Sequence, residues 1–478
     1  MNNRIINSII PLTSTLKDVL KTLDTNPLGI VFIINSDGCL KGIMTDGDIR
    51  RALLNDASLD ENVQKNMVND FIFGKKSNTK EQNINLLNDF IQHLPILDDF
   101  GQIVDYISVS DFVQMPVMEP TLKGNELEYV NDCIKTNWIS SQGNYVQRFE
   151  NAFAQYHSIN HALSTTNGTS ALHLALMAFD IGPGDEVIVP DLTFAASANA
   201  VIHCGAKPVL IDVHPNYWNI DPNLIEQSIT SRTRAIMPVH LYGHPCDMAP
   251  ILKIAKKHNM FVIEDCAEAL GAQYNGQLVG TFGDAGCFSF FSNKIITTGE
   301  GGMVITRHSV LSDKMEILKN HGMKKDKRYW HEFVGFNYRM TNIQAAIGLA
   351  QIEQLDLFLE RRNLIETLYN KFLKDTDGIE LPPKMDWGKK VNWLYSILID
   401  EEKTGVSRDL LIQKLKNQGI ETRPFFYPLH IQPPFEVKRD FPVSTKLSQQ
   451  GISLPSSINL SGKLLKKICD AIKDIFNN

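Results

Sequence analysis

Three stretches of the 478-residue sequence combine residue types that can do chemistry. In Cys287-Phe288-Ser289-Phe290-Phe291-Ser292-Asn293-Lys294 a lysine closes an aromatic, hydroxyl-bearing run, and Gly299-Glu300-Gly301-Gly302-Met303 follows. An amine among aromatic side chains is desolvated. Burial lowers its pKa and leaves a nucleophile able to form a Schiff base. The same lysine could instead lay its stem along the surface and keep its ammonium in water. Phe261-Val262-Ile263-Glu264-Asp265 ends a short buried-type strand on two carboxylates, at the edge where open α/β sheets hold ligands. A solvated strand end or a cap is the plainer reading. Thr165-Thr166-Asn167-Gly168-Thr169-Ser170 precedes an apolar helix beginning near Ala171. Glycine and hydroxyls at a helix N-terminus suit a phosphate, although Ser and Thr there are also ordinary caps.

Other residues are open to two readings. His240 and His244 are four apart, yet Gly243 and Pro245 break the helix that a metal pair would need. They read as loop residues near a substrate, with no metal site expected. Arg423, in Thr422-Arg423-Pro424-Phe425-Phe426, can fork onto a phosphate or carboxylate or form a surface ion pair. Near the start, Gly42-x-x-Thr45-x-x-Asp48 turns from a strand into a helix. Its free N–H groups and carboxylate suit a nucleotide, while a helix cap accounts for the same residues.

The elements that must position these groups fall into two parts. Up to residue 115 the chain reads as two similar halves. Ile30 to Ile34 stops at Asn35-Ser36-Asp37-Gly38, and Gly42 to Met44 leads into a helix. Leu94 to Leu97 stops at Asp98-Asp99-Phe100-Gly101, and Ile103 to Ile107 leads into Ser108-Val109-Ser110-Asp111. Such repetition means two packed copies of one unit. Met115-Pro116-Val117-Met118-Glu119-Pro120 reads as a linker. Beyond it, short strands (187–189, 208–211, 235–238, 261–263) alternate with helices such as 249–257, which predicts a mainly parallel α/β sheet. Thr341-x-x-Gln344 predicts a capping box. Residues 407–416 predict a helix stopped by Gly419, and 420–422 a returning strand, in a smaller α+β domain.

Composition is that of an ordinary globular chain, 43% hydrophobic and 21% charged. A net charge of −7 gives no electrostatic reason to expect nucleic acid or an anionic membrane. No run approaches membrane-spanning length, and no signal peptide is read. Seven scattered cysteines, never paired as C-x-x-C, suit reduced thiols in the cytoplasm. The glycine cluster lacks the G-x-G-x-x-G fingerprint of a dinucleotide site.

Two resemblances follow from these residues. The Gly42/Thr45/Asp48 turn and its second copy are similar to a cystathionine-β-synthase (CBS) domain pair over 1–115. That resemblance implies an adenine nucleotide at Thr45, Asp48, Ser108 and Asp111, although Asp105 stands where the second copy should have glycine. The order of phosphate turn, strand-end Asp, Ser-rich strand with Lys and glycine turn resembles the fold type I pyridoxal-phosphate (PLP) enzymes. Within them it is similar to the DegT/DnrJ/EryC1/StrS sugar aminotransferases over 117–478. The matching segments are 165–174, 185–196, 263–271, 284–303 and 335–351. His240 to Met248 and Gly335 to Gln344 look most like the branch that makes GDP-perosamine.

The resemblance implies a large domain over about 140–365 and a small one over about 366–478 plus the N-terminal segment. It implies that Lys294 holds PLP and moves the proton, and that Asp265 pairs with the pyridine nitrogen. Gly168, Thr169 and Ser289 would bind the phosphate, Phe194 would stack on the ring and Glu268 would sit beside the cofactor. Asn337 would reach the phosphate of a neighbouring subunit in a homodimer or tetramer. His240, Tyr242 and Arg423 are the substrate candidates. The reaction implied is amino transfer from L-glutamate to the 4-keto group of a nucleotide-linked 6-deoxyhexose, for surface polysaccharide such as O-antigen. Lys294 favours this over the related sugar dehydratases, which carry histidine there. A UDP-linked substrate, a dehydratase and a non-catalytic CBS-regulated binding protein are the alternatives.

Overall fold

A computed structural model gives the fold over residues 3–26, 28–79, 82–83, 86–87, 91, 93–108 and 115–477. The chain divides into two compact units, Met1–Gln114 and Met115–Asn478.

In the first unit the sequence repeat becomes a structural one. Ile9–Pro11, Ile30–Ile34 and Leu40–Thr45 form one three-stranded sheet, and Gly74–Lys75, His93–Leu97 and Ile103–Ser108 form another. In each, the first pair is parallel and the second antiparallel. The register shifts at the same place in both, between Ile33 and Ile34 and between Ile96 and Leu97. Ile30, Phe32 and Leu40 of the first half pack with Leu97 and Ile103 of the second.

The second unit is built on a seven-stranded sheet. Its order is His161–Thr165, Gly302–Thr306, Ala285–Ser289, Phe261–Asp265, Thr233–Ile236, Glu186–Pro190 and Lys207–Ile211. Only Gly302–Thr306 runs against the others. The strands are apolar on both faces, as a sheet covered by helices requires. A smaller antiparallel sheet, Ile379–Glu380, Tyr395–Ile399, Gly451–Leu454 and Arg423–Pro424, packs with the Leu355–Leu373 and Gly462–Phe476 helices. The 115–119 segment joins it: Met115 N donates to Gly419 O at 2.7 Å, and Ser456 N to Val117 O at 2.8 Å.

The Thr341 capping box forms as the spacing predicts, and Ser407 caps Arg408–Lys416. The helix expected near Ala171 starts three residues earlier, because Asn167 and Ser170 cap each other reciprocally. The strand expected at 420–422 lies instead at Arg423–Pro424, since Ile420 is taken by the entering segment at Met115. No helix among the described residues is long and apolar enough to cross a membrane. The cysteines are all unpaired, six buried and Cys39 partly exposed.

The aromatic run before Lys294 shows what the sheet does with it. Phe288 and Phe290 point into one core and pack on Phe149 and Phe153 of the Asn144–Tyr156 helix, with ring centroids 5.0–5.6 Å apart. His157 is buried in the same cluster, 4.4 Å from Phe153 and 4.9 Å from Phe288 by ring centroid. Burial holds its pKa down at about 4. A histidine that stays neutral when folded takes up its proton more readily when unfolded, so stability falls as pH drops from the unfolded pKa towards the folded one. His157→Phe removes that titration. Between pH 6.5 and pH 4 the wild type is expected to lose about 3 kcal/mol relative to the variant, read from urea unfolding at each pH.

Candidate active site

Because six of the seven strands run in one direction, their C-terminal ends meet along one edge. Thr165, Pro190, Asp265 and Ser289 each close a strand there. The residues that follow line a cavity of about 460 Å³. Gly168, Thr169, Phe194, Asp265, Glu268, Ser289, Lys294 and Arg423, eight of the sequence candidates, border it together.

The phosphate turn is set by the helix cap. Asn167 Oδ1 accepts from Ser170 N at 2.8 Å, and the amides of Gly168 and Thr169, at the open first turn, border the cavity. Gly168 must be glycine, since a Cβ there would lie 2.7 Å from Ser289 Cβ. Ser289 faces the cavity because its strand alternates and sends Phe288 the other way.

Asp265 is 5% exposed. Its Oδ2 accepts from Ser197 Oγ at 2.8 Å and its Oδ1 from Ala267 N at 3.1 Å. Burial pushes its carboxyl up, and these two hydrogen bonds with the Lys294 charge draw it back. Glu268 accepts from Tyr242 N at 2.8 Å and stands 3.7 Å from Lys294 Nζ. Burial raises its pKa to about 7 against the pull of Lys294. Lys294 is lowered by burial, while Glu268 and Asp265 restrain the fall and Arg423 adds to it. It sits not on the strand but on the turn after it, five residues past Ser289. Phe194 is 59% exposed at the cavity wall, its ring 5.7 Å from Phe426. Arg423 combines both sequence readings, since it borders the cavity and lies 3.8 Å from Glu421.

Two substrate candidates, His240 and Tyr242, are buried and do not line this cavity. His240 has no exposed surface. Its Nδ1 accepts from Cys246 N at 2.9 Å, so the proton is on Nε2, which donates to Glu264 at 3.1 Å. The Glu264 carboxylate also accepts from Gly280, Phe282 and Gly283 N. His240, Glu264 and Cys266 bring ligand atoms within 4.8 Å of one another, but these hydrogen bonds occupy the carboxylate and both imidazole nitrogens, and the group ties the 240–246 and 280–283 loops to the Phe261–Asp265 strand. Tyr242 is 6% exposed and also lies below the cavity, where its hydroxyl accepts from Phe426 N at 3.1 Å. Its left-handed backbone, φ 50°, aims its N–H at Glu268. Gly243 beside it has φ 86°, and a Cβ there would fall 1.6 Å from Val391 O. Gly243→Ala is expected to destabilise the protein by about 2–4 kcal/mol, seen as a lower urea midpoint at unchanged slope.

Asn337 does not border the cavity of its own chain. It is exposed and accepts from Arg339 at 3.1–3.2 Å. In the first unit Thr45 and Asp48 form a capping box, with Thr45 N and Oγ1 each 2.7 Å from Asp48 Oδ2, and Arg51 pairs with Asp48 at 2.6 Å. Ser108 is buried, and Asp111 lies outside the described residues. Ser197, Trp393 and Phe426 are site residues that motif reading missed. Ser197, three residues after Phe194, and Phe426, three residues after Arg423, had a nearby signal; Trp393 had none.

Residues 120–473 match the DegT/DnrJ/EryC1/StrS aminotransferase family. The chain belongs to that family. Residues 1–55 match the CBS domain. The aminotransferase is 47% identical over 365 residues to the GDP-perosamine synthase of Escherichia coli O157:H7, covering 76% of this chain and 99% of the relative. Among solved structures it is similar to DesV of S. venezuelae, with 33% identity, a TM-score of 0.70 and coverage of 74% and 95%. It is also similar to Spr1654 of Streptococcus pneumoniae in its PLP-form, with 28% identity, a TM-score of 0.72 and coverage of 76% and 98%. The second unit of the aminotransferase therefore has the fold type I architecture, and the eight bordering residues occupy its strand-end crevice.

Proposed function

We propose that the chain uses PLP to transfer an amino group from L-glutamate to the 4-keto group of a nucleotide-linked 6-deoxyhexose, GDP-4-keto-6-deoxy-D-mannose being the substrate of choice. The observation that carries this is the convergence of a buried lysine, a buried carboxylate and an open helix N-terminus on one cavity. The likeness to a GDP-perosamine synthase over nearly its whole length supports the sugar. The product would serve surface polysaccharide such as O-antigen.

The residues fit PLP. Gly168, Thr169 and the hydroxyl-bearing Ser289 line one cavity beside the open first turn of a helix, a donor set that suits a phosphate. Bound there, PLP supplies an electron sink. Gly168, Thr169 and Ser289 would hold the phosphate at the positive end of the helix. Phe194 would cover one ring face. Asp265, fixed by Ser197 and Ala267, would hold the ring-nitrogen proton. Lys294 Nζ would carry the proton between the substrate carbon and C4′, and burial, which lowers its pKa, favours release of that proton. Glu268, titrating at about 7 beside it, would share that proton. Arg423 would meet the anionic donor or the diphosphate. Asn337 would act across a homodimer or tetramer interface, and the CBS unit would take an adenine nucleotide that biases activity.

The test is the visible spectrum of the purified protein with PLP, before and after L-glutamate, with 2-oxoglutarate assayed in parallel. The expected result is bleaching of the bound chromophore with release of one equivalent of 2-oxoglutarate. Bound PLP that glutamate leaves unchanged would overturn the donor.

A further inference from the structure

We propose that Trp393 is a positioning residue for Lys294, its indole face holding the free lysine ammonium against the Glu268 carboxylate. Lys294 Nζ lies 3.8 Å from the centroid of the Trp393 ring and 3.7 Å from Glu268 Oε1. The amine is therefore bracketed by a π-face and an acid. An ammonium over indole is the most favourable cation–π pair, and more so where water is excluded. Here the lysine side chain is 13% exposed and Trp393 is 4% exposed.

The ring is held in that pose from several sides. Trp393 Nε1 donates to the carbonyl of Asn293, the residue before Lys294, at 2.6 Å. Arg362, on the Leu355–Leu373 helix, donates to the carbonyls of both Asn392 and Trp393 at 3.0 Å. Arg362 is 4% exposed and has no carboxylate partner among the described residues. A buried guanidinium without an acid is a costly group; its Nη1 hydrogen bonds go to the turn that carries Trp393, and its Nη2 donates to Met118 Sδ at 3.6 Å. On the other side Val391 N donates to Gly243 O at 3.0 Å, and Tyr242 stacks at 6.3 Å. The turn thus ties the amine to the large-domain loop that also orients Glu268.

The charged groups facing the amine are Glu268 and Asp265, which favour the ammonium, and Arg423, which opposes it. Trp393 adds a neutral group that favours the ammonium. Removing the indole should therefore lower the pH at which the amine loses its proton. The inference rests on the reading of Lys294 as the reactive amine, but its test needs no cofactor. The full chain, stripped of cofactor, is labelled with acetic anhydride across a pH series, and the Lys294 peptide is quantified by mass spectrometry. Trp393→Leu is expected to lower the labelling midpoint by about one pH unit, and Trp393→Phe, with a smaller face, by less. Lys319, buried between Glu150 and Glu316, reports the fold through its own profile. An unchanged or raised Lys294 midpoint in Trp393→Leu, with the Lys319 profile intact, overturns the proposal. If Trp393→Leu disturbs Lys319, the Trp393→Phe midpoint decides: lower supports the proposal, equal to wild type overturns it. Failure of the chain to bind PLP would count against the proposed function alone.

Discussion

Lys294→Ala is expected to reduce amino transfer by a factor of at least about 10⁴, because in the proposed function one side chain would both hold the cofactor covalently and move the proton. The variant should bind PLP without fixing it, so borohydride reduction should leave no label on the 285–300 region. The environment predicts a second effect. The Lys294 charge is what draws Glu268 down towards 7 and restrains Asp265. Without it, two buried carboxyls share a cavity with no ammonium between them, and Glu268 should titrate higher still. Carboxyl NMR of the cofactor-free variant reads this directly. Turnover within tenfold of wild type would remove Lys294 from the chemistry.

Asp265→Asn should cost about 10²–10³ in kcat. The substitution is nearly isosteric. Its amide can still meet Ser197 Oγ and Ala267 N, the partners that hold the carboxylate now, so the cavity and the Lys294 turn should persist. What is lost is a negative charge in a site too buried for water to replace it. The signature is a split: borohydride still fixes PLP to Lys294, while the glutamate half-reaction slows. KM for glutamate should move little, because in the proposed arrangement Asp265 would face the ring and not the donor. A variant retaining more than a tenth of wild-type kcat would show that Asp265 is a structural acid.

The different legibility of these residues has a physical origin. Gly168, Thr169, Asp265, Ser289 and Lys294 lie within or just beyond short apolar strands, and a strand-to-loop boundary is a local signal. Periodicity marks the strand, and its C-terminal end marks the crevice. The two-copy first unit was legible for the same reason, since its strands and turns repeat in type and order, down to the register shift before Ile34 and Leu97. The cap at Thr341 was legible because a cap is a contact three residues long.

That His240 and Tyr242 are buried away from the cavity lining could not be read in advance, because a loop sequence does not say which way its side chains turn. The neighbouring glycine and histidine read as a loop near a substrate. Folded, the loop passes under the sheet edge, where the Glu264 carboxylate and the Phe426 amide take their polar atoms. Trp393 lies 99 residues beyond Lys294, on a turn with no motif, and reaches it only because Arg362 and Asn293 hold that turn in place. Arg423 and Phe426 come to the cavity from further still along the chain, 129 and 132 residues beyond Lys294. Asp191 accepts from His430 at 2.7 Å and Asp212 from Ser444 at 2.6 Å, which ties their segment to the strand ends.

The sequence by itself determined the family, the two-part organisation, the strand-end cluster and the lysine, because each is written in contacts a few residues apart. The tertiary structure alone decided which neighbours desolvate and hold that lysine, and which histidine and tyrosine are buried supports. Those outcomes depend on side-chain direction and long-range packing, which no local pattern encodes.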